Sequence, residues 1–591
     1  IKAGFEVKGS RFVGKAPGVI KRDVAIVGIS GRYPMADNLE QFWQNLKDGR
    51  DCISEIPQQR WDHSLYFDED RHQKGKCYSK WGGFINGVDQ FDPLFFNISP
   101  KEAEIIDPQE RLFLETAWQA VEDAGYSKES LSGTRTGVFV GVMWGQYELY
   151  GANIPESGAI PSSSYASVAN RVSYYFNLSG PSMALDTMCS SSLTAIHLAC
   201  GEIQKGEIDA AIAGGVNVSI HPHKYLNLSQ GNFHASDGRC RSFGAGGDGY
   251  VPGEGVGAVL LKPLEQAKRD GDQIYALIKA SHINHGGKTN GYTVPNPNAQ
   301  GNLIREALEK ANIEPGSLSY IETHGTGTSL GDPIEIAGLN KVFAGSDVQP
   351  QACPIGSVKS NIGHLESAAG IAAVTKALLQ FKHRMLVPSL HAEPLNPNID
   401  FETSPFYVQQ ELQPWPQTQQ AKRIGISSFG AGGSNAHLIL EEYRDQDAVA
   451  ISPVEQEPET FVLSAKKETS LQLYVENMLA YLESSLESNN GVSLTDIAHT
   501  SRIGRTPMNW RLTVLASDLE MLKNRLALWL KGQQGDKAAG IEAQSQGVFY
   551  GNGKDKQATA GALIAGEAGE AFLDVILHNR ELEKIAQLWV S

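Results

Sequence analysis

The chain has 591 residues, 41% hydrophobic and 20% charged, with 61 glycines; it is too long for one core and has the composition of an ordered, turn-rich globular protein, not a disordered or fibrous one. A formal net charge of −16 argues against a nucleic-acid or anionic-membrane surface, which needs a basic footprint, and no run of about 20 apolar residues is present to span a bilayer. The six cysteines, at 52, 77, 189, 200, 240 and 353, lack CxxC spacing, so neither a zinc site nor a disulfide framework is expected and a reducing cytoplasm fits.

Residues 1–22 are polar and Gly-rich and read as an incoming linker. The chain opens on Ile1 and stops in the apolar Leu588-Trp589-Val590-Ser591, so it reads as a segment of a longer polypeptide. Order begins at Asp23. Val24-Ala25-Ile26-Val27-Gly28-Ile29 is a continuous apolar run of strand length, as expected for a strand buried on both faces. Phe42, Trp43 and Leu46 mark a short amphipathic helix, and residues 51–97 read as a long surface excursion. Asp107-Pro108-Gln109-Glu110-Arg111 opens a helix with Leu112, Leu114, Ala117, Val121 and Ala124 inward, ended by Gly125.

Strands are predicted at 138–141, 182–185, 210–215, 256–261, 274–278, 320–324, 355–358, 424–427 and 438–441, with helices after Cys189 and over 303–308, 333–343 and 368–381. This alternation predicts an α/β core with a sheet covered on both faces, and two comparable halves point to a duplicated layered unit. Gly244-Ala245-Gly246-Gly247-Asp248-Gly249 matches the dinucleotide pattern GxGxxG, but the segment after it has strand character, so a packed glycine turn is expected. The core is expected to occupy 23–443. Residues 444–460, rich in Asp, Glu, Gln and Pro, read as a linker, and 461–591 as a smaller α/β unit whose first helix presents Leu471, Tyr474, Met478 and Leu482 on one face.

Three loops after strands carry chemistry. Cys189 falls where a strand turns into a helix. There the free N–H groups and helix dipole favour an anion, lowering a thiol from about 8.5 into the range of roughly 3.5 to 7.5, so a thiolate near neutral pH is expected. Glu322-Thr323-His324-Gly325-Thr326-Gly327-Thr328 places a histidine at a strand end before small residues that let a ligand approach. Lys359-Ser360-Asn361-Ile362-Gly363-His364-Leu365-Glu366 leads into the apolar helix from Ala368. Singly, each histidine reads as structural and Cys189 as a small core residue. Together, at strand ends where α/β sheets bind ligands, they read as a site.

These three stretches resemble the Cys-His-His active site of β-ketoacyl synthases of the thiolase superfamily, in their polyketide synthase form. The resemblance runs from about Asp23 to Glu442 and includes Asp107 to Arg111, Gly331-Asp332-Pro333-Ile334-Glu335 and the stretch from Gly425 to His437. It implies a duplicated, five-layer αβαβα fold, a homodimer and, for the part after Phe461, the linker subdomain that follows ketosynthases. No acyltransferase GHSxG elbow and no carrier-protein phosphopantetheine motif is present. With Asn284 to Tyr292 and Val142 to Gln146, this resembles the trans-acyltransferase branch of bacterial enzymes.

The resemblance implies elongation. Cys189 takes an acyl chain from a phosphopantetheine thioester, and the oxyanion sits on the N–H groups of Cys189 and Phe429. The enolate of decarboxylated malonyl-carrier protein is held by His324 and His364 as Nε2–H donors. Lys359 is expected to pair with Glu366 or another local carboxylate and orient the His364 loop, while Phe429 gates the thiol on the mobile Gly430, Gly432 and Gly433. No cofactor beyond the carriers' phosphopantetheine and no metal is expected; partners are the upstream and downstream acyl carrier proteins and, indirectly, a trans-acting acyltransferase.

Rival readings are a ketosynthase that only transfers acyl groups, whose members usually lack the histidine of the His-Gly-Thr-Gly-Thr loop, and a docking module with an unreactive Cys189. A cysteine protease of Cys189, His324 and Asn361 lacks either family's local motif. A metal site of Cys189, His324 and His364 lacks local ligand spacing and a carboxylate second shell. Met143, Trp144, Tyr165, Asn232 and His234 are candidates for the pocket lining.

Overall fold

The computed structural model describes residues 23–151, 160–444, 457–488, 491–553 and 564–591. The segments expected to be linkers, 1–22 and most of 444–460, lie outside them. Two compact units are present. Among the described residues, one spans Asp23–Ala124 and Leu131–Arg444; the other takes those of 457–591 together with Gly125–Ser130.

In the larger unit the first half runs β1 (Val24–Arg32), α1 (Pro108–Asp123), β2 (Thr136–Gly141), α2 (Tyr165–Phe176), β3 (Ser182–Leu185), α3 (Ser191–Lys205), β4 (Ala210–Asn217) and β5 (Gly255–Pro263). The second half runs β6 (Ala276–His285), α4 (Pro297–Ala311), β7 (Tyr320–Glu322), α5 (Gly331–Phe343), β8 (Cys353–Gly356), α6 (Ala369–His383), β9 (Phe406–Val408), β10 (Arg423–Phe429) and β11 (Ser434–Glu442). The sheet order is β9-β8-β7-β10-β11-β6-β1-β5-β4-β2-β3. Each half therefore repeats one topology. β3-β2-β4-β5-β1 and β8-β7-β10-β11-β6 place corresponding strands in corresponding slots, with parallel pairs at one end and antiparallel pairs at the other. The duplication is visible in topology where no repeat is visible in the letters.

β1 and β6 join the two half-sheets over Val24–Ile26 and Ala276–Ile278. Helices α3 and α6 pack against strands of both halves, while α1 and α2 cover the first half and α4 and α5 the second. This gives five layers, helix-sheet-helix-sheet-helix. Because α6 is covered on both sides, Ala369 to Phe381 is buried without interruption; a helix buried on every face is what a central layer requires. The α3 and α6 N-termini meet closely: a Cβ on Gly370 would lie 2.6 Å from Leu193 Cγ, and Ile371 N donates to Ser192 Oγ at 3.0 Å.

Gly244 to Gly249 is a packed turn. A Cβ at Gly249 would sit 2.3 Å from the His234 carbonyl carbon and oxygen, and one at Gly247 2.3 Å from the Gly327 carbonyl oxygen. These glycines admit neighbouring backbone, with strand β5 following, so the GxGxxG match carries no nucleotide fingerprint. The β8 strand begins earlier than the sequence predicts, at Cys353, and Ser357 and Val358 lie in the turn beyond it.

The smaller unit pairs β12 (Glu459–Ala465), β13 (Trp510–Ala516) and β14 (Val548–Asn552) antiparallel. Helix α7 (Glu468–Ser488) sets Leu471, Val475 and Leu482 into its core, with Tyr474 and Met478 packed alongside. No described helix is long and apolar enough to cross a membrane.

Candidate active site

The two halves deliver their functional groups from corresponding places. Cys189 lies between β3 and α3, and His364 between β8 and α6; His324 follows β7, and Phe429 ends β10. Their carboxyl-terminal strand ends converge on one cleft of about 130 Å³, partly open to solvent. Its wall includes Cys189, Phe233, Tyr250, Thr326, Phe429 and the loop from Gly286 to Asn296.

The turn before α3 is fixed by hydroxyls. Met188 adopts a left-handed φ of 58°, Ser191 Oγ accepts from Thr187 N at 2.9 Å and donates to the Met188 carbonyl at 2.6 Å, and Ser190 Oγ donates to the Thr187 carbonyl. The consequence is a cysteine projected from a tight strand-to-helix bend. Cys189 is 7% exposed. Burial pushes its thiol up to about 12, the Glu366 carboxylate acting in the same direction, against the N–H groups of Ala431 and of Cys189 itself and the charge of Lys359. The expected resting thiolate is therefore corrected to a resting thiol: desolvation of the anion outweighs the donors and the positive helix end.

The Cys189 sulfur and one ring nitrogen from each of His324 and His364 lie within 4.8 Å of one another. The imidazole rings are 5.3 Å apart at 83°, and Phe429 stands 5.6 Å from His324. His364 Nδ1 accepts the backbone N–H of Glu366 at 2.9 Å. The neutral ring must then carry its proton on Nε2, which is buried without a hydrogen-bond partner among the described residues. Burial and the charges of Lys359 and Lys224 push His364 well below its ordinary value; burial, Lys359 and His364 do the same to His324. Both are neutral near pH 7. A ligating histidine donates its remote N–H to an acceptor, whereas His364 receives one there, so its near nitrogen is a donor and not a metal ligand.

The loop after β7 hangs on two buried carboxylates that the Gly331 to Glu335 stretch puts in the first turns of α5. Glu335 accepts the N–H of His324 at 2.7 Å and of Gly325 at 2.8 Å, and Asp332 accepts those of Phe243 and Gly327. Desolvation raises them to about 7 and about 6. Glu322 accepts from Val358 N and pairs with buried Lys376 at 2.7 Å, tying β7 to the His364 loop.

Lys359 does not pair with Glu366. Among the described residues no carboxylate lies within 4 Å of its Nζ; it is buried, pushed down by desolvation, and feels Glu322 and Glu335 at longer range. Glu366 instead pairs with Lys224 at 2.5 Å, both side chains fully buried. Lys224 and Tyr250 escape a reading of the sequence because they lie far along the chain from His364.

Gly430 to Gly433 form a tight turn: Gly430 N donates to the Ser434 carbonyl, Gly433 N to the Gly430 carbonyl, and Gly432 and Gly433 hold φ of 95° and 97°, a region open to glycine. The loop from Asn284 to Tyr292 packs on this turn through His285 Nε2 on the Gly432 carbonyl at 2.9 Å and Gly286 N on the Gly433 carbonyl. None of Met143, Trp144, Tyr165, Asn232 or His234 lines the cleft. His234 is buried with Nε2 on the Tyr225 carbonyl, and Tyr165 binds the Met143 carbonyl; Phe233, between Asn232 and His234, reaches the cleft.

A duplicated five-layer α/β unit with a cysteine and two histidines at its strand ends defines a condensing enzyme of thiolase-like fold. The family model for the β-ketoacyl synthase N-terminal domain matches residues 21–267, that for the C-terminal domain 275–393, and that for the ketoacyl-synthetase C-terminal extension 395–515. Polyketide synthase PksL of Bacillus subtilis is 52% identical over 96% of this chain, and ThaG of Burkholderia thailandensis 54% identical over 89%; the chain spans 13% and 10% of those proteins. The oxazolomycin ketosynthase domain OzmH KS7 of Streptomyces albus superposes with a TM-score of 0.84 at 51% identity, covering 90% of each chain. The ketosynthase from module 6 of the Bacillus subtilis bacillaene synthase gives 0.86 at 40%, covering 96% of this chain and 94% of that one. The chain belongs to the β-ketoacyl synthase family, as a ketosynthase of the polyketide synthase type, an acyl-transferring condensing enzyme.

Proposed function

We propose that this domain lengthens a polyketide chain by decarboxylative Claisen condensation. Cys189 receives the growing acyl group from one carrier protein's phosphopantetheine thioester, the thiol proton leaving with the carrier's sulfur. The tetrahedral oxyanion is held by the backbone N–H groups of Cys189 and Phe429, each worth about 3 kcal/mol. Malonyl-carrier protein then loses CO₂, and its enolate oxygen is stabilised by His324 and His364. The enolate carbon attacks the acyl-Cys189 carbonyl, the C–S bond breaks with the sulfur leaving as thiolate, which takes a proton from water to restore the thiol, and β-ketoacyl-carrier protein is released. Glu335 and Asp332 hold the His324 loop, Phe429 with Gly430, Gly432 and Gly433 gates the thiol, and Lys359 supplies positive potential.

The observation that carries this reading is the proton position on His364: a neutral imidazole with an unpartnered Nε2–H beside the cysteine sulfur suits an enolate oxygen better than it suits proton abstraction. The presence of His324 favours elongation over transfer alone. The loop from Asn284 to Tyr292 in the cleft wall, together with relatives named as polyketide synthases, supports placing the domain in a trans-acyltransferase setting; two acyl carrier proteins as partners, a homodimer and a bacterial cytoplasmic site belong to the same proposal. The segment 23–443 is taken as the condensing domain and 461–591 as its flanking linker subdomain. The test is to load the protein with a simple acyl thioester, add malonyl-carrier protein and follow both masses. Acyl-protein followed by β-ketoacyl-carrier supports elongation; acyl-protein with unchanged malonyl-carrier establishes transfer alone.

A further inference from the structure

One buried charged array beside the cleft has no part in the reaction just described. Lys224 lies in the first turn of a short helix, His223–Gln230, in the first half of the molecule. Its ammonium contacts Glu366 Oε2 at 2.5 Å and donates to Asn217 Oδ1 at 3.0 Å, with Lys224 and Glu366 both at 0% side-chain exposure. Asn217 Nδ2 donates to the Gly253 carbonyl, and Gly253 N donates to the His364 carbonyl. The other carboxylate oxygen, Oε1, accepts from Tyr250 Oη at 3.2 Å, and the Tyr250 ring stands 4.8 Å from the His364 ring and forms part of the cleft wall.

Glu366 holds a left-handed φ of 49°, which costs a non-glycine residue about 1 kcal/mol and persists only where the surroundings impose it. That conformation aims its N–H at His364 Nδ1. The side chain and the backbone of Glu366 thus do two jobs at once, and the side chain's anchor is Lys224.

We propose that Lys224 and Glu366 are positioning residues: a buried ion pair reaching from the first half to the second that fixes the His364 ring with its Nε2–H in the cleft, and so governs decarboxylation and condensation more than acyl loading. This rests on the enolate-holding role of His364 given above. The pair also balances charge around a ring that faces Lys359, Lys224, Glu366, Tyr250, His324 and Cys189. With Lys224 removed, the Glu366 carboxylate is left buried without its cation, and the imidazole becomes easier to protonate, because Lys224 is one of the charges holding it neutral.

The test uses the purified chain, with K224M, K224R, E366Q and the double variant K224M/E366Q. Two rates are read on each across pH: acyl transfer to Cys189 from a soluble acyl thioester, by intact mass, and CO₂ release from malonyl-carrier protein. K224M is expected to lower CO₂ release about a hundredfold, the scale of a misplaced group, while loading falls roughly tenfold less. Its acid limb is expected to move to higher pH. K224R is expected to recover most of the rate, and the double variant, with no stranded carboxylate, to return the acid limb towards that of the unaltered protein. Loading and CO₂ release falling in equal proportion in K224M and E366Q, with unmoved pH profiles, would overturn the proposal and leave the pair as packing. Absence of CO₂ release from the unaltered protein would overturn the elongation reading itself, and this inference with it.

Discussion

The two halves of the α/β unit share one strand order yet build their strand-to-helix turns differently. Between β3 and α3 the first half uses residues 186–190, a short bend fixed by Ser and Thr hydroxyls, and it presents a sulfur. Between β8 and α6 the second half uses residues 357–368, long enough to bury Lys359, His364 and Glu366. Each turn contains a left-handed non-glycine residue, Met188 or Glu366. The fold repeats a position and fills it differently: the short turn presents the Cys189 sulfur, the long one an imidazole held among buried charges. This division matches the two half-reactions of the proposed elongation, in which acyl capture falls to the first half and enolate handling to the second.

The sharpest way to break that division is C189A, which removes the sulfur and is expected to abolish acyl loading and condensation, by a factor of about 10⁴ or more. Acyl protein still forming at its usual rate would move the nucleophile elsewhere. Next come H324A and H364A, expected to keep loading within roughly tenfold while lowering β-ketoacyl-carrier formation some hundred- to thousandfold, the worth of one fixed donor. Equal losses in both half-reactions would dissolve the comparison between the halves.

A third prediction concerns the resting thiol. With its value pushed up to about 12, the thiolate fraction is small at neutral pH and grows about tenfold per pH unit. Alkylation of Cys189 by iodoacetamide, followed by peptide mass spectrometry, is expected to accelerate steadily from pH 6 to about 9 without levelling; a plateau near pH 7 would show the helix end and Lys359 outweighing burial. The smallest effect belongs to the seam between the halves. G370A puts a methyl where Leu193 Cγ stands 2.6 Å away, and overpacking of that kind costs about 1–3 kcal/mol, read as a lower Tm with loading and condensation reduced together.

Much of this was legible in the letters because the signals are local. Apolar runs such as Val24 to Ile29 marked buried strands, and Cys189, His324 and His364 each stood in a recognisable loop. What required coordinates was relational. The β3-β2-β4-β5-β1 order and its copy arise from pairings between distant segments. Lys224 and Glu366 lie far apart along the chain, on opposite sides of β5 to β8, so Lys359, close in sequence, was the natural partner on paper and the wrong one in space. The thiol reversed its expected direction because a helix start is a local property, while desolvation depends on everything packed over it. Of the stretches 142–146 and 232–234, only Phe233 lines the cleft: Asn232 turns away at a left-handed φ of 54° and His234 is buried on the Tyr225 carbonyl.

The central claim, that a sulfur from one half and two donors from the other complete a carbon–carbon bond, is tested most directly by intact mass spectrometry on the acyl-loaded protein after malonyl-carrier protein is added. The account predicts that the acyl mass leaves Cys189 as the carrier gains it in β-ketoacyl form. An acyl mass that stays on the protein, or moves to a carrier without loss of CO₂, would contradict it.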